Sequence, residues 1–129
     1  MILRRALLPV VLAATVSVAV GIGCGSNHVA TARVIPGASP DVGRRLMERY
    51  GCGSCHEIPG VRGARGLVGP PLERFGRRGF IAGELANTPD NLVRWIQHPR
   101  EVEPGTDMPE LGVTPDEARN IAAYLERLG

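Results

Sequence analysis

The 129 residues are enough for one domain and little else, and the 4% aromatic content is low for a core of that size. All 15 basic residues are arginine. From Ser39 onward 12 arginines face 13 acidic residues, while Arg4, Arg5 and Arg33 account for the overall formal charge of +2. No basic block remains of the kind that binds nucleic acid, and an odd cysteine count (Cys24, Cys52, Cys55) argues against a disulfide framework.

Residues 1–23 read as an export signal: Arg4 and Arg5 precede an uncharged, almost wholly apolar run from Leu7 to Ile22. That run is short for a spanning helix, which needs roughly 20 apolar residues, and fits a signal peptide better. Gly21-Ile22-Gly23-Cys24 resembles the lipobox of bacterial lipoproteins, with Gly21 where that motif usually has Leu. The resemblance implies that Cys24 becomes a lipidated first residue. Plain cleavage nearby and an uncleaved anchor are the alternatives, and all three place the domain outside the cytoplasm. Residues 24–38 are small and polar and read as a tether, with His28 a solvated linker residue.

The folded domain is expected over 39–129. Ser39-Pro40-Asp41, Thr88-Pro89-Asp90 and Thr114-Pro115-Asp116 each combine a capping hydroxyl, a proline suited to the first helical turn and an acid at the positive end of the helix dipole. Glu117 adds a capping box to the last. Behind them, helical spacing marks Val42, Leu46, Met47 and Tyr50, then Leu92, Trp95 and Ile96, then Ala118, Ile121, Ala122, Leu125 and Leu128. The second helix must stop before Pro99. Glu57 to Gly83 is glycine-rich loop with room for one short helix, and no alternating strand pattern stands out. The expected class is all-α, three main helices with long loops wrapped around something else.

Cys52-Gly53-Ser54-Cys55-His56 has the C-x-x-C-H pattern of c-type haem attachment. Two thiols at this spacing reach both haem vinyl groups from one turn of chain, and the adjacent imidazole then sits beneath the iron. A dithiol redox pair would need a βαβ context, and a zinc site normally needs four ligands. Met108 lies about fifty residues on, in the Pro/Gly-bounded loop Pro104-Gly105-Thr106-Asp107-Met108-Pro109. That is a poor setting for a core methionine and a suitable one for a second axial ligand. His98, just before Pro99, is the rival ligand, in a position that reads as solvated.

Together these motifs resemble a class I cytochrome c, and the resemblance covers Ser39 to Gly129. Gly43 and Met47 stand where the family has a Gly and usually an aromatic. Gly69-Pro70-Pro71-Leu72 resembles its Gly-Pro-x-Leu, which implies that the Pro70 carbonyl accepts a hydrogen bond from His56. Phe75-Gly76-Arg77-Arg78-Gly79 resembles a segment whose first arginine, Arg77 here, reaches a haem propionate. Pro104 to Met108 matches Pro-Gly-Thr-x-Met, with Thr106 near a propionate, and Tyr124-Leu125 falls in a C-terminal helix that crosses the first. Trp95 aligns with a family Tyr by distance from Met108, or with a propionate-binding Trp by chemistry; simple core packing is the alternative.

The resemblance implies one covalent haem c with His56 and Met108 as iron ligands, and a single-electron carrier rather than an enzyme. Such a carrier is expected to be monomeric, to bind redox protein partners and no small-molecule substrate, and to sit at the membrane through its anchor. The alternatives are a fixed haem subunit of a larger oxidoreductase, or a haem-based ligand-binding protein or peroxidase, which requires an open iron position. The missing lysines set the chain apart from mitochondrial members, which dock through a lysine ring. Docking here is expected to use apolar contact or arginine, with modest salt sensitivity.

Overall fold

The computed structural model describes residues 33–129, so the expected signal peptide, Cys24 and the tether as far as residue 32 lie outside the described residues. Four helices carry the fold: α1 Pro40–Arg49, α2 Pro89–Gln97, α3 Pro99–Val102 and α4 Pro115–Glu126. All three expected helix starts are present. Ser39, Thr88 and Thr114 each accept a hydrogen bond from the backbone N–H three residues on, and Thr114 and Glu117 close the capping box. Pro99 ends α2 and opens the short α3, as proline at a first helical position can do.

Helices α1 and α4 cross at close range because Gly43 has no side chain; a Cβ there would overlap the Asn120 carbonyl. Asn120 secures the crossing, its Oδ1 accepting from Ser39 N–H at 2.6 Å. The core forms along the inner faces of α1, α2 and α4, from Leu46, Met47, Leu92, Ile96, Ala118, Ile121, Ala122 and Leu125. Fully burying a Leu or Ile side chain contributes roughly 1.5–3 kcal/mol.

The loop region has one short helical turn, the 3-10 turn Phe75–Arg77, for which it was expected to have room. It also leads into an antiparallel hairpin that no alternation revealed, pairing β1, Phe80–Ile81, with β2, Leu85–Ala86. Strands of two residues are too short to show alternation. Asn87, buried beside them, donates through Nδ2 to the carbonyls of Phe75 and Arg78, both at 3.1 Å, which locks hairpin to turn.

The packed region also begins earlier than composition suggested. Ile35 is 5% exposed and belongs to the core, and the Pro36 carbonyl accepts from Arg119 at 2.8 Å. Arg33 pairs at 2.8 Å with Glu126, whose side chain is fully buried, and donates to the Gly76 carbonyl at 3.3 Å. Residues 33–38 are therefore a strap bound to α4, not free tether. The binding is by one ion pair, hydrogen bonds to backbone carbonyls and the apolar anchor Ile35.

Removing Arg33 leaves the Glu126 carboxylate buried without a counter-charge. Breaking a buried pair costs ~3–5 kcal/mol. Because the Arg33 side chain is 38% exposed, Arg33→Ala is expected to lose about 2–4 kcal/mol in denaturant unfolding of the haem-loaded protein. Arg33→Met with Glu126→Leu should recover most of it.

A second clasp joins the end of α1 to the start of α4. Tyr50 donates to Glu117 at 2.7 Å, and Arg49 pairs with the same carboxylate. The Tyr50 hydroxyl foremost, then the Thr114 hydroxyl and backbone, hold Glu117 down to about 2 from an ordinary 4.5. A depressed carboxylate stabilises the fold above its unfolded value, and that contribution disappears as pH falls from about 4.5 to about 2. Glu117→Gln should flatten the stability–pH curve in that window and leave its slope near neutrality unchanged.

Candidate functional site

The turn after α1 sets the site. The Cys52–Ser54 3-10 turn and the hydrogen bond from His56 N–H to the Cys52 carbonyl, 3.1 Å, place Cys52, Cys55 and His56 along one face of the chain. The following loop folds back onto this turn: Gly66 N–H reaches the Gly53 carbonyl at 3.0 Å, and Gly69 N–H reaches that of Cys55 at 2.8 Å. At Gly69 the fold needs glycine, since a Cβ would overlap the His56 ring. The next carbonyl, that of Pro70, accepts the hydrogen of His56 Nδ1 at 2.8 Å. With Nδ1 protonated and bonded, Nε2 carries the free lone pair, the arrangement that orients metal-bound histidines.

These groups face a cavity of about 400 Å³. Cys52, Cys55, His56, Gly69 and Pro70 line one part of it, and Thr106, Asp107 and Met108 another. A smaller, apolar space of about 60 Å³ lies behind, where Met47, Leu92, Ile96, Ile121 and Leu125 join Cys52, His56, Trp95 and Met108. The Met108 loop is internally braced: the Thr106 hydroxyl accepts from Met108 N–H at 3.2 Å, and Glu103 from Gly105 N–H at 3.0 Å. Both thiols are free and half-buried, and burial pushes the Cys52 thiol up from its ordinary 9.0.

Two thiols, an imidazole with Nε2 free and a thioether around one largely apolar cavity are the donor set of a c-type haem. A bare ion fits less well, since among the described residues no three His, Cys, Asp or Glu side chains gather to hold one. The cytochrome c family pattern matches residues 41–129. The chain belongs to the cytochrome c family. This family binds haem c covalently, and its chemistry is haem-based electron transfer.

Two relatives share part of this sequence. Over 87 residues, 67% of this chain, it is 34% identical to a cytochrome c oxidase subunit 2 of Alkalihalophilus pseudofirmus. Over 59 residues, 44% of this chain, it is 37% identical to a cytochrome c oxidase subunit 2 of Bacillus sp. (strain PS3). The matches cover only 25% and 17% of those proteins.

Within this cytochrome c domain most of the residues singled out from sequence meet at one place. Cys52, Cys55, His56, Pro70, Trp95, Thr106 and Met108 all line the main cavity. Trp95 lies at the junction of the two spaces. His98 is exposed and lines neither. Arg77 is exposed as well and absent from the lining, where its neighbour Arg78 stands instead. The reason is local: the 3-10 turn closes at Arg77, the backbone becomes extended at Arg78, and the Arg78 guanidinium folds over the Phe75 ring at 5.2 Å. The Arg78 side chain also donates to the Pro71 and Glu73 carbonyls. Sequence could indicate an arginine in this segment but not which of two adjacent ones turns inward. Met47, marked in sequence as part of one face of the first helix, lines the smaller space.

Proposed function

We propose that this cytochrome c is a one-electron carrier holding a single haem through thioethers at Cys52 and Cys55, with His56 and Met108 as axial ligands. The observation that carries this is the 2.8 Å bond from His56 Nδ1 to Pro70, made beside the same cavity that Met108 lines. When bound, haem supplies an iron that exchanges one electron between ferric and ferrous states.

The chain's own residues do the rest. Pro70 fixes the imidazole tautomer and increases its basicity. Leu72, Phe75, Ile81 and Trp95 exclude water from the cavity walls. Arg78, half-buried, lines the cavity and would offer its guanidinium to the carboxylates of a bound haem. Arg77 is left as an exposed charge. Thr106 braces the loop that presents Met108. His56 and Met108 would both hold the iron, so that a bound haem could change oxidation state with little rearrangement of the chain.

The carrier is proposed to work outside the cytoplasm, as a monomer held at the membrane by lipid on Cys24. Among the described residues no helix is long and apolar enough to cross a membrane. Because both relatives are named as oxidase subunits, a membrane-bound terminal oxidase is proposed as the electron acceptor. A second reading, a fixed haem subunit of such a complex, has the same support; stable co-purification with the oxidase favours it over a diffusing carrier.

Carbon monoxide distinguishes this account from ligand binding or peroxidase chemistry. The reduced protein is expected to show no spectral change with carbon monoxide at neutral pH, whereas Met108→Ala should bind it rapidly. Rapid binding by the unsubstituted protein means an accessible iron position and contradicts the carrier reading.

A further inference from the structure

The 3-10 turn Phe75–Arg77 joins the cavity wall to the N-terminal strap. Phe75 lines the cavity, Arg78 follows the turn and lines it too, and Gly76 between them bonds to Arg33. The entry to the turn is strained. Arg74 stands at φ 53° and ψ 27°, left-handed backbone that is unfavourable for a residue with a Cβ. Inside the turn, Arg77 N–H donates to the Arg74 carbonyl and Arg78 N–H to that of Phe75, both at 3.0 Å. With a strained entry and only these two bonds of its own, the turn depends on support from outside.

Three neighbours supply it. Gly76 N–H donates to the Leu128 carbonyl at 2.9 Å, and a Cβ at Gly76 would overlap the Glu126 carbonyl, so the turn is pressed against the end of α4. Asn87 holds the Phe75 and Arg78 carbonyls from the hairpin side. Arg33 holds the remaining side. One guanidinium nitrogen, Nη1, donates to the Gly76 carbonyl at 3.3 Å and to the Glu126 carboxylate at 2.8 Å. Because the Glu126 side chain is fully buried, that nitrogen has a fixed anchor from which to hold the turn.

What the turn carries is Arg78. Its guanidinium forms no ion pair among the described residues; it donates to the Pro71 and Glu73 carbonyls and lies over the Phe75 ring. Resting on the reading of Arg78 given above, we infer that Arg33 is a positioning residue for the cofactor. Acting through the Gly76 carbonyl, it fixes where Arg78 presents its charge to the haem carboxylates, and so keeps the reduction potential high. The negative charge of those carboxylates favours ferric iron, the more positive of the two states. A guanidinium held close to them offsets that charge and favours the ferrous state. When the turn loosens, Arg78 moves toward water, where its charge is screened and counts for less.

The test is a redox titration of the haem-loaded protein, read from its absorption spectrum, in a double-mutant cycle between the strap and Arg78. Arg33→Met with Glu126→Leu removes both charges of the pair together with the Gly76 bond, so net charge is unchanged. This swap is expected to raise the ferric-to-ferrous ratio at a fixed applied potential about three-fold. Arg78→Gln should raise it in the same sense, and adding the swap to Arg78→Gln should raise it no further. A strap that serves stability alone leaves the potential where it was. An unshifted potential in the swap, with a shift in Arg78→Gln, therefore overturns the role of Arg33. Equal shifts by the swap with and without Arg78 overturn it as well, since the pair then acts without that side chain. An Arg78→Gln protein with the original potential overturns the reading of Arg78 itself, and this inference with it. If the swap does not fold, Arg33→Gln takes its place in the cycle. Its lost charge acts alike in both backgrounds, so a larger shift with Arg78 than without it supports the inference, and equal shifts overturn it.

Discussion

The hydrogen bond between His56 Nδ1 and the Pro70 carbonyl holds the two halves of the site in one geometry. On one side is the cysteine turn, delivered by the end of α1; on the other is a loop that must return to within hydrogen-bonding distance of the imidazole. Gly69 permits that approach, and the bonds from Gly66 to Gly53 and from Gly69 to Cys55 secure it. A loop without regular structure thereby acquires a fixed position, because its backbone donors and acceptors are satisfied by the turn it covers. The helices supply the back wall, the Met108 loop closes another side, and the hairpin with Phe75 and Arg78 forms the remaining rim.

Much of this was legible in the sequence for identifiable reasons. Helix starts were explicit because Ser39, Thr88 and Thr114 each announce a cap in two or three residues, and every one of them caps in the structure. The attachment turn was explicit because its chemistry demands one spacing. What was hidden depends on contacts distant in sequence. Arg33 lies 93 residues from Glu126, so nothing local distinguishes a strap from a tether. Arg77 and Arg78 are adjacent and chemically identical, and only the closing of a 3-10 turn separates their directions. The two-residue strands are defined by pairing alone.

The strap gives residues 33–38 a structural role that their composition does not announce. Arg33 is used internally, against the buried Glu126. The strap ties these residues to α4, the helix that crosses α1 and forms the back of the cofactor site.

The central claim is that Cys52 and Cys55 bind one haem permanently around this geometry. Mass spectrometry of the acid-denatured protein tests it most directly. The account predicts the mass of the mature chain plus one haem, with the haem released on denaturation when both cysteines are replaced by alanine. A mass equal to the polypeptide alone would contradict it.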